Sequence, residues 1–133
     1  MLLFILLVAV IVGGYFLYTH LKEQKEFSEF SKVFNIGLEE LAKFNGVASK
    51  RIFVGVKGDI FEVSNSPFYT PGGTYHIFAG KDASISLAKS DLEGKYLNNQ
   101  TEQLNEEEQQ SLDEWHNKFT EKYRKVGKLT IKN

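Results

Sequence analysis

An unbroken apolar run opens the chain, and no charged side chain occurs before Lys22. Residues 2–18 read LLFILLVAVIVGGYFLY, and a helix of that length nearly spans the hydrocarbon core of a membrane, about 30 Å thick. No basic residue precedes the run and no A-x-A-like cleavage site follows it, which argues against a cleaved secretory signal. The pattern therefore predicts a transmembrane anchor over 1–21 and a polar stalk over 22–35.

The charges that flank this run predict how the anchor is oriented. Lys22, Lys25 and Lys32 follow it, whereas only the α-amine precedes it. Because basic flanks stay on the cytoplasmic side, we expect a single-pass protein whose soluble part faces the cytoplasm. A lumenal or secreted domain is the alternative, and the glycosylation sequon that begins at Asn99 would then be used.

The polar part of the chain alternates between short helical and extended patterns. Two β-rich runs around Lys57-Gly58 predict a hairpin, and Asp82 is placed to cap a helix. In chain order we expect a short helix over 37–44, strands over 51–56 and 59–63, a loop over 67–80, a helix over 83–89 and a polar loop over 90–104.

The clearest helical pattern covers residues 106–126. Asn105 is placed as its N-cap, with Glu108 completing a capping box, and Gly127 is predicted to end it. Apolar side chains recur at steps of three and four and form one stripe. The stripe consists of Leu112, Trp115, Phe119, Tyr123 and Val126. Helix, hairpin, loop, helix and long helix in this order predict an α+β domain.

Composition removes several function classes. The 133 residues contain 16 Lys plus Arg and 17 Asp plus Glu, and this balance argues against nucleic acid as a partner. Cysteine is absent and the one methionine opens the chain, so thiolate chemistry and a methionine ligand to iron are excluded. No HExxH motif, phosphate loop or dinucleotide fingerprint occurs. We therefore predict that the protein is not an enzyme.

The segment 68–84 has the most unusual composition in the chain. Tyr69 and Tyr75 flank a turn sequence, Pro71-Gly72-Gly73. Two interpretations stay open at this point. Either both rings fill the core beside the hairpin and the glycines supply turn geometry, or the glycines let the backbone approach a flat ligand.

Several motifs together resemble one known family. The hairpin IFVGV-x-G-x-IFEV, the block Phe78 to Ser84 (FAGKDAS), and the end of the chain around Lys122-Tyr123 are similar to the membrane-associated progesterone receptor family. Members carry a cytochrome b5-like haem/steroid-binding domain behind one N-terminal anchor. The similarity covers residues 36–129, which leaves 130–133 as a tail, and it implies residence in the endoplasmic reticulum membrane.

The resemblance also implies a cofactor, haem b, and the residues that hold it. Tyr75 matches the tyrosine that is the axial iron ligand, and Tyr69 matches a pocket residue that bonds a haem propionate or the ligand oxygen. Lys122 and Tyr123 match a pair at the haem edge. The implied role is a haem-dependent adaptor or haem chaperone that supports cytochrome P450 enzymes and sterol metabolism. Stacking of two haem domains would give a homodimer.

One departure separates this chain from cytochrome b5 itself. Thr70 stands where b5 has the histidine of its His-Pro-Gly-Gly motif, so an ordinary bis-histidine b5 is excluded at this position. His76, next to Tyr75, is the alternative iron ligand, and it would suit an electron-transfer protein. A tyrosinate ligand instead stabilises ferric iron and favours a binding role. A steroid-binding or protein-interaction module with a vestigial haem site is the remaining alternative.

Overall fold

The computed structural model describes residues 1–30 and 34–130, with side chains for 1–22 and 34–130. The chain divides into two compact units, Met1–Lys32 and Val33–Asn133. Residues 31–33 of the predicted stalk and 131–133 of the predicted tail lie outside the described residues.

The first unit contains a single helix, α1 (Leu2–Phe30). Its part Leu2–Lys22 has a mean hydropathy of 2.4 and is long and apolar enough to cross a membrane. The large apolar side chains of this part are exposed, as a lipid-facing helix requires. A signal sequence meets the same criteria of length and composition, so the anchor stays a prediction.

The second unit is built around a three-stranded antiparallel sheet in the order β1-β2-β3. Its strands are β1 (Phe53–Val56), β2 (Asp59–Glu62) and β3 (Arg124–Lys128). The turn between β1 and β2 has positive φ at both Lys57 and Gly58, which is the geometry of a tight hairpin turn that matches the strand twist. The predicted hairpin is therefore confirmed.

The helices are α2 (Leu38–Leu41), a 3-10 helix over His76–Phe78, α3 (Ser84–Ala88) and α4 (Glu106–Lys122). The capping box that opens α4 is confirmed, since the Asn105 side chain accepts from Glu108 N and the Glu108 side chain accepts from Asn105 N. This mixture of helices and sheet confirms the predicted α+β class.

The predicted end of the last helix is wrong. Helix α4 ends at Lys122, Tyr123 is extended, and the next five residues form β3. Val126 was predicted to continue the apolar stripe, but it is buried on the other side of the sheet. Gly127 was predicted to end the helix, yet it pairs with Ile60 inside the sheet. Pairing with β2 satisfies the backbone of this segment as one more helical turn would, and it also buries Val126.

Alternation along the strands divides the core into two clusters, one on each face of the sheet. The helical cluster packs under α3 and α4 and contains Ile52, Val54, Val56, Phe61, Val63, Tyr69, Phe78, Ala79, Ala83, Leu87, Ala88, Leu112 and Phe119. The rear cluster contains Leu41, Phe53, Ile60, Val126 and Leu129, with Phe34, Ile36, Leu38 and Phe44 packed against it.

Phe34 joins the rear cluster at the start of the second unit. Its N–H donates to the carbonyl of Val126 at 2.7 Å, and its ring lies 5.1 Å from that of Phe53. A Cβ on Gly127 would collide with the Phe34 backbone, so this glycine is needed for a close approach. The packed unit thus includes Phe34, two residues ahead of the start at 36 that we predict for the domain.

The edge of β1 that does not face β2 is hydrogen bonded to residues 80–83. The N–H of Gly80 donates to the Phe53 carbonyl at 2.8 Å. The N–H of Gly55 donates to the Lys81 carbonyl at 2.9 Å, and the N–H of Ala83 donates to the Gly55 carbonyl at 2.8 Å. These hydrogen bonds attach the end of the loop over 67–80 to the sheet, and they thereby help to position the side chains of that loop. The predicted N-cap of α3 is one residue early, since the N-cap is Ala83, but Asp82 accepts hydrogen bonds from the N–H and the hydroxyl of Ser84, the first residue of α3.

Candidate functional site

The loop over 67–80 folds back on itself around Gly73. Tyr75 N–H donates to the Phe68 carbonyl at 2.7 Å, and Gly73 N–H donates to the Thr70 carbonyl at 2.8 Å. A Cβ on Gly73 would collide with the carbonyl oxygens of Pro67 and Phe68. Glycine at this position therefore lets the chain approach itself, and the fold-back brings both tyrosines of the loop together.

Tyr69 and Tyr75 lie at the centre of an aromatic group. Their ring centroids are 5.9 Å apart, and Tyr123, which follows α4, lies 6.0 Å from Tyr69. Phe78 lies almost parallel to Tyr75, at 6.0 Å and an interplanar angle of 11°. Phe119 of α4 lies 6.2 Å from Tyr69 in an edge-on arrangement. The loop and α4 together build this group.

The two loop tyrosines differ in burial. Tyr69 is only 5% exposed, whereas Tyr75 is half-buried. Burial raises the pKa of the Tyr69 phenol above its ordinary value of 10.0, and the phenols of Tyr123 and Tyr75 raise it further. Tyr69 is therefore a neutral phenol at physiological pH, which suits it to donating a hydrogen bond.

A cavity of about 370 Å³ opens beside this group, and we call it the main cavity. It is lined by Phe68, Tyr69, Tyr75, Trp115, Lys118, Phe119, Glu121, Lys122 and Tyr123. All four residues that the sequence assigned to a cofactor site, Tyr69, Tyr75, Lys122 and Tyr123, are thus brought to one place. Its volume falls in the range of small-molecule sites, about 300–1,000 Å³.

Two lysines of α4 place positive charge at the main cavity. Lys122 Nζ lies 5.7 Å from the ring centre of Phe68 and 5.4 Å from that of Tyr123. Lys118 Nζ lies 4.9 Å from the ring centre of Trp115. Both side chains are exposed, so their ammonium groups are available to an anionic group at the cavity.

Sequence reasoning missed several lining residues. Trp115 and Phe119 were treated only as core, while Phe68, Lys118 and Glu121 were given no role. A signal was present, because residues 115, 118, 119 and 122 recur at helical spacing and therefore share one face of α4 with the predicted Lys122.

A smaller cavity of about 160 Å³ adjoins the main one on the side of α3. It shares Tyr69, Tyr75 and Trp115 with the main cavity. Its other lining residues are Phe78, Ser86, Leu87, Ser90 and Leu92. Tyr75 therefore borders two distinct spaces, one with charged residues and one without.

His76, the alternative iron ligand, has a different role in the structure. Its Nε2 is hydrogen bonded to the carbonyl oxygen of Asn45 at 2.9 Å, and it lines neither cavity. Across residues 1–22 and 34–130, no group of three or more His, Asp or Glu side chains is arranged to hold a metal ion.

Comparison with known proteins decides the family. No protein-family model matches the chain. It is 39% identical over 99 residues to human membrane-associated progesterone receptor component 2, covering 71% of this chain and 44% of that protein. It is 41% identical over 93 residues to probable steroid-binding protein 3 of Arabidopsis thaliana, covering 68% of this chain and 93% of that protein. The chain belongs to the membrane-associated progesterone receptor family.

Other members of this family extend the picture. Cytochrome P450 regulator dap1 of Schizosaccharomyces pombe is 37% identical over 98 residues, which cover 68% of this chain and 59% of that protein. The chain thus spans less than two thirds of the human and fission-yeast relatives. A solved Arabidopsis thaliana structure described as having a cytochrome b5 like fold matches with a TM-score of 0.68 and 37% identity, covering 74% of this chain and 93% of that one. The b5-like fold is therefore confirmed.

Proposed function

We propose that the main cavity binds haem b, with the phenolate oxygen of Tyr75 as the one protein ligand to iron. The observation that carries this proposal is the position of Tyr75, a half-buried oxygen donor in an aromatic cavity of about 370 Å³. When bound, the haem supplies an iron centre whose ferric state a hard, anionic tyrosinate stabilises. Aromatic walls and a cationic edge fit a flat, apolar group that carries carboxylates.

Burial distinguishes Tyr75 from its neighbour as the ligand. Tyr69 is 5% exposed and packed between Phe119 and the other tyrosines, so a phenolate there would be buried without a counter-charge. Both tyrosines line both cavities, but Tyr75 is only half-buried, so more of its side chain is open to a bound group. Tyr69 then acts as a neutral donor to an oxygen of the bound group.

The lysines of α4 have a matching role. Lys122 and Lys118 present ammonium groups at the main cavity, and carboxylates are the natural partners of such groups. We assign Lys122 to a haem propionate, in agreement with the expectation from sequence. Lys118 is the additional candidate, because it lines the same cavity one helical turn earlier.

Haem titration of the full chain in detergent micelles tests the ligand assignment. The wild-type protein should bind one haem and give a ferric high-spin spectrum, which the Tyr75→Phe variant loses. Tyr69→Phe is the matched control, since it removes the neighbouring hydroxyl, and it should weaken binding while keeping the spectrum. Stoichiometric binding with an unchanged spectrum in Tyr75→Phe would overturn the proposal. A low-spin spectrum that disappears in His76→Ala would establish the electron-transfer alternative instead.

The family also supports a proposed cellular role. We infer that α1 anchors the protein in the endoplasmic reticulum membrane, with the haem domain in the cytoplasm, where it acts as a non-enzymatic adaptor for cytochrome P450 enzymes or as a haem chaperone. Support comes from the apolar helix and from a fission-yeast relative named a cytochrome P450 regulator. Protease accessibility of the domain in intact microsomes tests the topology, and glycosylation at Asn99 would contradict it. Haem-dependent co-purification with a P450 tests the adaptor role.

We also infer that the haem-bound protein forms a homodimer. Phe68 is an exposed aromatic residue at the main cavity, so an open haem face beside it would favour a stacked homodimer. Sedimentation should then show dimers only when haem is bound.

Steroid binding is the second candidate function, supported by the names of two relatives and by the apolar lining of the main cavity. A steroid that binds the haem-free protein and is displaced by haem would place both ligands in the main cavity.

A further inference from the structure

We propose that the smaller cavity is a separate ligand subsite for a neutral, ring-sized apolar group that carries one oxygen, with the hydroxyl of Ser86 as its anchor. Ser86 is 0% exposed and lines this cavity of about 160 Å³. Its Oγ is the one buried side-chain nitrogen or oxygen atom without a hydrogen-bond partner among the described residues. Less than 1 Å² of this atom is exposed, so a ligand in the cavity reaches the hydroxyl only when a neighbouring side chain moves aside.

The neighbouring serine of α3 makes the contrast clear. Ser84 Oγ donates to Asp82 Oδ1 at 2.6 Å and accepts from the N–H of Lys57 at 2.8 Å. Its hydroxyl is therefore fully used in holding α3 to the sheet. Ser86, two residues further along the same short helix, makes no such contact. Leaving a buried hydroxyl unpaired destabilises a fold, so such atoms call for a specific explanation.

The size of the cavity indicates what it can hold. A cavity of about 150 Å³ lined by apolar side chains is known to accept benzene, so 160 Å³ suits one six-membered ring. Phe78, Leu87 and Trp115 supply apolar walls, and Leu92, 56% exposed, lies at the mouth. A larger molecule would have to leave its remaining atoms outside.

The charge of the lining indicates the chemical class. None of the residues that line the smaller cavity is an acid, a lysine, an arginine or a histidine. The main cavity, by contrast, includes Lys118, Glu121 and Lys122. A neutral ring with one hydroxyl or carbonyl oxygen therefore fits the smaller cavity, whereas carboxylates fit the main one. This second subsite does not depend on the haem proposal.

Phenol and benzene are matched probes, since they differ by one hydroxyl. Trp115 is the only tryptophan and lines the cavity, so its fluorescence, excited beyond the absorption of phenol, reports binding to the full chain in micelles. Wild-type protein should bind phenol more tightly than Ser86→Ala does, by about five- to tenfold, the effect of one hydrogen bond. Benzene affinity should be equal in both proteins. Because partition into micelles is the same for every variant, the ratio between variants is unaffected.

Ser90→Ala is the matched control, because Ser90 carries the other serine hydroxyl of the lining but is exposed. It should leave phenol affinity unchanged. Equal phenol affinity in wild type and Ser86→Ala would overturn the proposal, as would a loss confined to Ser90→Ala. Haem titration with phenol at saturation should give an unchanged haem affinity. Mutual exclusion would make the two cavities one haem site and would sink the separate subsite, while leaving the role of Tyr75 intact.

Discussion

The two faces of the sheet are used for different purposes. On the rear face, the rings of Phe34, Phe44 and Phe53 lie 4.3–5.6 Å from one another and pack the strands against the start of the domain. On the helical face, the core includes a buried phenol, Tyr69, and borders both cavities. One face therefore consists of apolar packing, while the other combines packing with groups that can bind. Stability and ligand binding should respond separately to substitutions on the two faces.

An ion pair lies beside the phenylalanine rings of the rear face. Arg51, two residues before β1, donates to both carboxylate oxygens of Glu62 at the end of β2, at 2.7 and 3.0 Å. The same guanidinium lies over the rings of Phe34 and Phe53, at 5.1 and 4.9 Å from their centres. The Arg51 charge on the rear face is thus paired within the protein. On the helical face, by contrast, Lys118 and Lys122 are exposed at the main cavity.

Phe53→Ala should have the largest effect on stability. Phe53 is 0% exposed at the centre of the rear cluster, so truncation leaves a cavity and should lower the free energy of unfolding by about 3–5 kcal/mol. Urea unfolding of the full chain in micelles measures this. Haem affinity, recorded where the variant is still folded, should stay within about twofold of wild type, because Phe53 lines neither cavity. A loss of haem as complete as that expected of Tyr75→Phe would show that the two faces are not separable.

Glu62→Gln should have an intermediate effect that depends on pH. Burial raises the pKa of Glu62, but hydrogen bonds from Arg51 and Ser64 outweigh it, so the pKa lies below its ordinary value of 4.5. A depressed pKa stabilises the folded state above pH 4.5, and this contribution is lost as the pH falls through the folded value. We expect Glu62→Gln to cost about 1–2 kcal/mol at neutral pH and to flatten the acid limb of the stability curve.

An exposed ion pair supplies the control for this experiment. Glu40 and Lys43 lie 2.9 Å apart, but their side chains are 56% and 64% exposed, so solvent screens the pair. Glu40→Gln should change stability by less than about 0.5 kcal/mol. If Glu40→Gln lowers the free energy of unfolding as much as Glu62→Gln does, the contribution of the Arg51–Glu62 ion pair does not depend on its position over the phenylalanine rings.

Asn105→Ala should have a smaller effect on stability than Phe53→Ala and should connect the stability of α4 to the site. Loss of the capping box should destabilise the start of α4 by about 1 kcal/mol. Since α4 carries Trp115, Lys118 and Lys122, haem affinity should fall by a small factor in parallel. Circular dichroism and haem titration of the same samples measure the two quantities. A stability loss with no change in haem affinity would mean that the site is insensitive to fraying of α4.

The elements that could be predicted from the sequence are those that depend on residues close together in the chain. The hairpin followed from β-rich runs around Lys57-Gly58, and the start of α4 followed from Asn105 and Glu108. The four residues that we propose for the cofactor came from a family motif, and all four line one cavity. Trp115 was not recognised as a lining residue because an apolar helical stripe looks the same whether it covers a core or lines a cavity.

Local pattern was sufficient for the apolar first helix, for the hairpin and for the cap of α4, because each depends on neighbours in the chain. Only the tertiary structure decided the state of residues 124–128, since their strand exists by pairing with β2 more than sixty residues earlier. The same holds for Ser86. Its hydroxyl has no partner because of how α3 packs beside Tyr75 and Trp115, and no spacing in the sequence marks a space between elements.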